Sequence, residues 1–259
     1  RPPRSTLFPY TTLFRSRSKD GLTLRAAYIP RENAKGTIIC MHGYHSTNDI
    51  EFVPEVRFLW NLGYSILLPW QRSHGKSEGR YITYGVKERH DLKRWILYTN
   101  RHLAAKNKDI FLCGISMGCA TTLMAAGLDL PDNVKGIIAD CGFTSPWDII
   151  KHVAKERFHL PPFPLMYMVD LISEVVAGFG LKEVSIPEIM KRNKIPVLFI
   201  HGDADDYVPM WMTIKNYEAC AAKKELYIVS GAGHALAFSK DMEEGKRRIK
   251  NFINKYKTI

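Results

Sequence analysis

At 259 residues with 46% apolar content, the chain can bury one substantial core, and open α/β domains of this size commonly stay undivided. Its formal charge of +11 falls to +7 once the four arginines among the first seventeen residues are set aside. That balance, with no recognisable reading motif and no interleaved base-stacking aromatics, does not point to nucleic acid. Five cysteines without CxxC spacing argue for reduced, packed thiols, and neither a run of eighteen apolar residues nor a signal-peptide pattern is found.

Thr6 to Ser16 reads TLFPYTTLFRS, which resembles the in-frame translation of a sequencing adapter. Residues 1–17 are therefore expected to stand outside the fold as an artefactual tail, with any native N-terminal signal or membrane anchor out of sight. The domain proper is expected to run from 18 to 259.

From Gly21 onward, short apolar runs alternate with longer helix-period segments. This predicts a mostly parallel sheet flanked by helices, with strands at Leu22–Ile29, Thr37–Met41, Ser65–Pro69, Ile110–Gly114, Gly136–Asp140, Val197–His201 and Glu225–Val229. Between them, Leu92, Trp95, Ile96 and Leu103 mark a one-faced helix over Val86–Leu103, and Met117–Leu128 is apolar enough to be a buried one. The rhythm breaks over residues 143–194, which reads as a small helical cap inserted between two core strands. At the C-terminus, Ile249, Phe252, Ile253 and Tyr256 make an apolar stripe. Its basic neighbours, from Lys246 to Lys257, read as a solvated helix face.

The strand-to-helix joint carries GxSxG at Gly114, Ser116 and Gly118. A nucleophile on such a strained turn stands above the sheet, and the glycines admit the close strand and helix backbones. A serine hydroxyl needs a base within hydrogen-bond reach, and that base needs a carboxylate to orient it. Candidates follow in chain order: HGDADDYVP over residues 201–209 offers an acid among Asp203, Asp205 and Asp206, and GAGHA over residues 231–235 offers His234 as the base. Asp140, at the end of a core strand, is the second choice for the acid. His42 and His201 precede glycines at strand ends and read as buried structural residues. An oxyanion hole would take one backbone N–H from Met117 and one from the loop after Gly43. No HExxH or comparable ligand spacing implies a metal, and no nucleotide cofactor is implied.

With these motifs in place, the chain from Lys19 onward resembles bacterial α/β-hydrolases of the uncharacterised-esterase and serine-aminopeptidase-like (S33-type) groups, which face the cytoplasm or are membrane-tethered. The resemblance implies an α/β-hydrolase fold and assigns the acid of HGxxDxxVP to Asp205. It also gives the second oxyanion donor as the N–H of Tyr44. Residues 70–77, WQRSHGKS, resemble the family's DxRxHGxS loop, with Trp70 where relatives have aspartate and Arg72 read as a brace. The expected activity is hydrolysis of small to medium acyl esters. Peptidase or aminopeptidase action remains open, with Asp148, Glu156, Asp170, Glu174 and Glu183 of the cap as candidate anchors, and a non-catalytic binding module is a third reading. Dehalogenase and epoxide hydrolase chemistry would put aspartate at position 116. Phe163, Met166 and Met168 of the cap are expected to line the substrate pocket.

Overall fold

The computed structural model describes residues 11–103 and 108–258. Among these, eight strands form one sheet: β1 (Thr12–Arg17), β2 (Thr23–Ile29), β3 (Gly36–Met41), β4 (Ser65–Pro69), β5 (Asp109–Ile115), β6 (Val134–Asp140), β7 (Val197–Gly202) and β8 (Lys224–Val229). Their order is β1-β2-β4-β3-β5-β6-β7-β8. From β4 to β8 every pairing is parallel, while β1–β2 and β2–β4 are antiparallel. The central strands read as near-continuous apolar runs because both sheet faces are covered. Leu112 and Ile137 pack into the cluster on one face, Phe111 and Ile138 into that on the other.

The helices are α1 (Asn48–Glu51), α2 (Val53–Asn61), α3 (Glu88–His102), α4 (Met117–Ala125), α5 (Pro146–Phe158), α6 (Leu165–Ile172), α7 (Ile186–Met190), α8 (Met210–Ala219), α9 (Ala237–Lys240) and α10 (Met242–Tyr256). Helix α4 is buried along its whole length; its residues are apolar or small, and its two hydroxyls, on Thr121 and Thr122, reach back to the Met117 and Cys119 carbonyls. Helix α3 buries the stripe Leu92, Trp95, Ile96 and Thr99. Helix α10 buries Ile249, Phe252 and Ile253, and its basic residues pair outward, Arg247 and Arg248 with Glu244 and Lys255 with Glu225. All five cysteines are buried and free. Among the described residues, no helix is long and apolar enough to cross a membrane.

Helices α5, α6 and α7 belong to the excursion between β6 and β7, and a π-helical turn, Ser173–Ala177, continues α6. Ser145 caps α5 by accepting the Asp148 N–H, and His159 closes it in the left-handed region.

One expectation is overturned. Of the segment set aside as a tail, residues 1–10 lie outside the described residues, but Thr12–Arg17 pairs with β2 along its full length, from Thr12 opposite Tyr28 to Arg17 opposite Thr23. Alternation explains it: Phe14 points inward, its ring 5.5 Å from Tyr28 and 5.6 Å from Tyr98, while Leu13 faces solvent. Deleting residues 1–17 removes that aromatic contact and bares the outer edge of β2, so the truncated protein should melt lower by about 5 °C in differential scanning calorimetry. An unchanged melting temperature would show that β1 contributes nothing.

Candidate active site

Ser116 sits between β5 and α4 with φ +55° and ψ −117°, a conformation few side-chain-bearing residues adopt. The turn is held by the Ser116 N–H donating to the Asp140 carbonyl (2.9 Å) and the Ala120 N–H donating to the Ser116 carbonyl (3.0 Å). Its glycines are sterically required. A Cβ on Gly114 would stand 2.4 Å from the Gly118 carbonyl oxygen, and one on Gly118 would stand 1.8 Å from that of Met41.

His234, on the loop after β8, approaches Ser116 with Nε2 2.9 Å from Oγ, and its Nδ1 lies 2.8 Å from Asp205 Oδ2. The Asp205 side chain, on the loop after β7, is fully buried. Its Oδ1 accepts the N–H groups of Tyr207 and Val208, both at 2.9 Å, and His201 Nε2 stands 3.2 Å from Oδ2. Burial works to raise this carboxyl, but the bonds from His201, His234 and Val208 outweigh it and hold the group well below the usual carboxylate range. The geometry therefore joins Ser116, His234 and Asp205 in one hydrogen-bonded chain, with the negative charge fixed at Asp205. Such a chain can take a proton from the serine hydroxyl and stabilise the resulting imidazolium.

Asp140 does not join it. Its carboxyl is buried with Oδ1 unpartnered among the described residues, and burial pushes it up to about 6 even though His201 and His234 draw it down. Asp203 accepts the Gly231 N–H (2.6 Å), tying the acid-bearing loop to the loop that carries His234. Cys141, Asp205 and His234 also bring potential ligand atoms within 4.8 Å of one another. Burial keeps the Cys141 thiol protonated, however, and the other two are engaged with each other.

The loop after β3 runs beside the nucleophile, since a Cβ on Gly43 would lie 3.3 Å from Ser116 Cβ. It is pinned on both sides of Tyr44. Glu51 Oε2 accepts the Gly43 N–H, and His74 Nε2 accepts that of His45 at 3.1 Å. His74 is held in turn at Nδ1 by the Arg72 carbonyl (2.8 Å). Beneath the loop, His42 Nε2 accepts the Gln71 N–H (3.0 Å), and Thr121 Oγ1 donates to Gln71 Oε1 (3.0 Å). His42 and His201 are thus buried and hydrogen-bonded, and His201 additionally touches the acid. Arg72 is a brace, with paired bonds to both Asp91 and Asp20. Trp70 packs its ring over Gly75. Glu51 and His74 escaped the sequence reading. The signal for His74 lay in residues 70–77, whereas nothing local marks Glu51.

An apolar cavity of about 320 Å³ opens beside this chain, walled by Ile149, Val153, Leu165, Met166 and Val169 of the cap together with Tyr84 and Tyr207. The two tyrosines connect it to the site. Tyr207 lies 5.1 Å from the His234 ring, and Tyr84 stacks on Tyr44 at 5.4 Å. Met166 is 1% exposed and lines the cavity, but the expectation for its two companions is corrected. Phe163 is 75% exposed, its ring against Tyr167, and Met168 is 56% exposed. With about 3.6 residues per turn, Met166 and Met168 fall on opposite sides of α6, so only one of them can face inward.

The fold and the Ser–His–Asp geometry define an α/β-hydrolase. Residues 77–258 match the prolyl oligopeptidase family, and the chain belongs to that family. It is 28% identical over 243 residues to YqkD of Bacillus subtilis, covering 94% of this chain and 79% of that one. To YfhR of Escherichia coli K12 it is 26% identical over 227 residues, covering 86% and 72%. Among solved structures, the Pyrococcus furiosus esterase Pf2001 superposes with a TM-score of 0.78 at 26% identity, covering 98% of this chain and 96% of that one. A Butyrivibrio proteoclasticus protein, Est1E with ferulic acid bound, shares the fold at 18% identity and a TM-score of 0.68, covering 92% and 96%.

Behind the elbow, Glu55 and Asp140 face a pocket of about 20 Å³, and Glu55 Oε2 has no partner among the described residues. Burial pushes the Glu55 carboxyl from 4.5 up to about 8, with Asp140 and Glu51 adding to the rise. The folded state therefore favours the protonated acid. Its contribution to stability is complete below pH 4.5 and is lost as the pH climbs through about 8. Glu55→Gln, which cannot ionise, should gain on the wild type by about 5 °C in melting temperature between pH 5 and pH 9. A pH-independent difference would contradict the raised carboxyl.

Proposed function

We propose that this hydrolase is a serine carboxylic-ester hydrolase acting on small to medium acyl groups through an acyl-enzyme. The observation that carries the reading is the Ser116–His234–Asp205 chain beside an apolar cavity whose lining includes no carboxylate. Ser116 Oγ attacks the ester carbonyl as His234 Nε2 takes its proton. Asp205 holds the Nδ1–H and stabilises the imidazolium, while the N–H groups of Met117 and Tyr44 receive the developing oxyanion. His234 then protonates the departing alkoxide, and water repeats the cycle on the acyl-enzyme.

An aminopeptidase would want an acid waiting for the substrate ammonium. Four of the five candidate anchors are engaged elsewhere: Asp148 accepts the Thr144 hydroxyl, Asp170 the Leu181 N–H, Glu156 pairs with Lys155, and Glu183 faces Arg89; the fifth, Glu174, is exposed and does not line the cavity. The esterase name carried by the Pyrococcus furiosus structure favours the same side. At about 320 Å³ the cavity lies at the small end of ligand pockets, which suits a short or medium acyl chain.

Ser116→Ala and His234→Ala should each lower p-nitrophenyl ester turnover by about 10³-fold or more, with losses that do not add in the double variant. Asp205→Asn should cost far more rate than Asp140→Asn, and the reverse ranking would move the acid to Asp140. In a panel of p-nitrophenyl esters of graded acyl length and aminoacyl amides, esters should dominate. Met166→Ala should move the optimum to longer chains while acetate turnover stays within about tenfold, or ~1.4 kcal/mol. A preference for aminoacyl amides would replace this reading with the peptidase one.

A further inference from the structure

Three consecutive main-chain N–H groups on the loop after β3 meet different fates. That of Gly43 is taken by Glu51 and that of His45 by His74 Nε2, whereas that of Tyr44, between them, has no acceptor among the described residues. The same holds for the N–H of Met117, a buried residue at the start of α4. Main-chain donors in folded proteins are paired almost without exception, so two free ones beside one serine point to an acceptor that arrives with the substrate.

The direction of the Tyr44 N–H is tied to the Gly43 carbonyl, because the two point opposite ways across a trans peptide. That carbonyl lies 2.8 Å from His42 Nδ1, and since His42 Nε2 accepts the Gln71 N–H, the ring proton is on Nδ1 and is donated to it. One contact alone lets the peptide swing about it. The chain is strained just beyond, with His45 at φ +53°, and such a loop keeps its shape only where its neighbours over-determine it. Glu51 on α1 and His74 after β4 supply the further points of attachment. Glu51 is largely buried, pairs with no cation among the described residues, and has the Gly43 N–H as its hydrogen-bond donor. Burial pushes its carboxyl up to about 7 against the pull of that N–H and of His234. A buried acid without an ion pair costs the fold stability, so a structural brace is a poor account of it.

We propose that Glu51 and His74 are positioning residues for hydrolysis: by gripping the N–H groups on either side of Tyr44, they aim its own N–H at the oxygen that turns negative when Ser116 Oγ adds to the substrate carbonyl. The clamp rests on the reading above of Ser116 as nucleophile and the Tyr44 N–H as oxyanion donor, and not on the substrate being an ester. Its effect falls on the transition state, where the charge develops, rather than on the bound substrate. Acylation and deacylation both pass through an oxyanion, so kcat reports the clamp whichever step limits turnover.

The test is p-nitrophenyl butyrate hydrolysis by the full chain. Glu51→Ala and His74→Ala should each lower kcat about 30-fold with KM within about twofold, since a misaimed donor costs less than the roughly 10²–10³-fold of a deleted one, and the double variant should approach that larger loss. Glu51→Gln, which keeps an acceptor oxygen for Gly43 and gives up the charge, should stay within about threefold of the wild type. Glu51→Met fills the same space without an acceptor, so it should behave like Glu51→Ala and serves where alanine fails to fold. Affinity for a trifluoromethyl ketone should fall by the same factor as kcat/KM, because its hemiketal with Ser116 sets an oxyanion in the hole as the serine proton passes to His234. Wild-type kcat in the alanine and methionine variants overturns the proposal, as does a loss confined to KM. So does a loss as large in Glu51→Gln, which would make charge and not direction the contribution. Active-site titration that finds fewer competent sites, each turning over at the wild-type rate, overturns it too and reduces both residues to structural braces. A wild type that prefers aminoacyl amides sinks the esterase reading alone, and the clamp is then read on the amide, whose tetrahedral intermediate carries the same oxyanion.

Discussion

The contact on which the site depends is one between backbones: Gly118, in the first turn of α4, lies against the Met41 carbonyl at the end of β3. Because no side chain intervenes, the elbow, the strand beneath it and the loop that follows β3 form one rigid piece. The strained φ of Ser116 costs about 1–3 kcal/mol, and such a conformation survives only where its surroundings over-determine it. They do so here through the Asp140 carbonyl on one side and the helix backbone on the other. Gln71 extends the same piece sideways, taking bonds from Thr121 on α4 and giving them to His42.

Around this piece the carboxyl groups divide by environment. Asp205 is buried yet collects donors at both oxygens and stays ionised. Asp140, Glu51 and Glu55 are buried with fewer donors and hold their protons more tightly, rising to about 6, 7 and 8. The difference lies in hydrogen bonds rather than depth, since desolvation acts on all four. It makes Asp205 the most firmly ionised acid beside His234 and leaves Glu55 mostly protonated at neutral pH.

Much of this was legible in the sequence, for a physical reason. Strands buried on both faces write themselves as short apolar runs, and all seven runs from Leu22 onward correspond to strands within two residues at either end. The GxSxG joint and the Ser, Asp, His order survive translation into geometry because each motif sits at a strand end, where the loop is short. β1 was missed because its composition resembles something foreign to a fold, yet alternate residues that pair with β2 need only one inward aromatic, Phe14, to be held. In the cap, the apolar composition of residues 158–176 gave no side to the helix. Phe163 and Met168 therefore looked as eligible for the pocket as Met166. Glu51 acts through the main-chain N–H of Gly43, a contact that leaves no spacing pattern behind, whereas His74, which accepts the His45 N–H, lay within the WQRSHGKS loop.

The cap leaves the sheet after Asp140 and returns at Val197, and β6 and β7 are hydrogen-bonded neighbours with Ile137 opposite Val197 and Asp140 opposite Ile200. Both ends of the excursion are thus anchored by a ladder that exists whatever the excursion contains, and lengthening a loop whose ends are fixed costs only about 0.6 kcal/mol per doubling. Ser116, Asp205 and His234 all lie outside it. The length of the cap can therefore change without moving the reacting atoms, because the ladder that anchors its two ends does not depend on it.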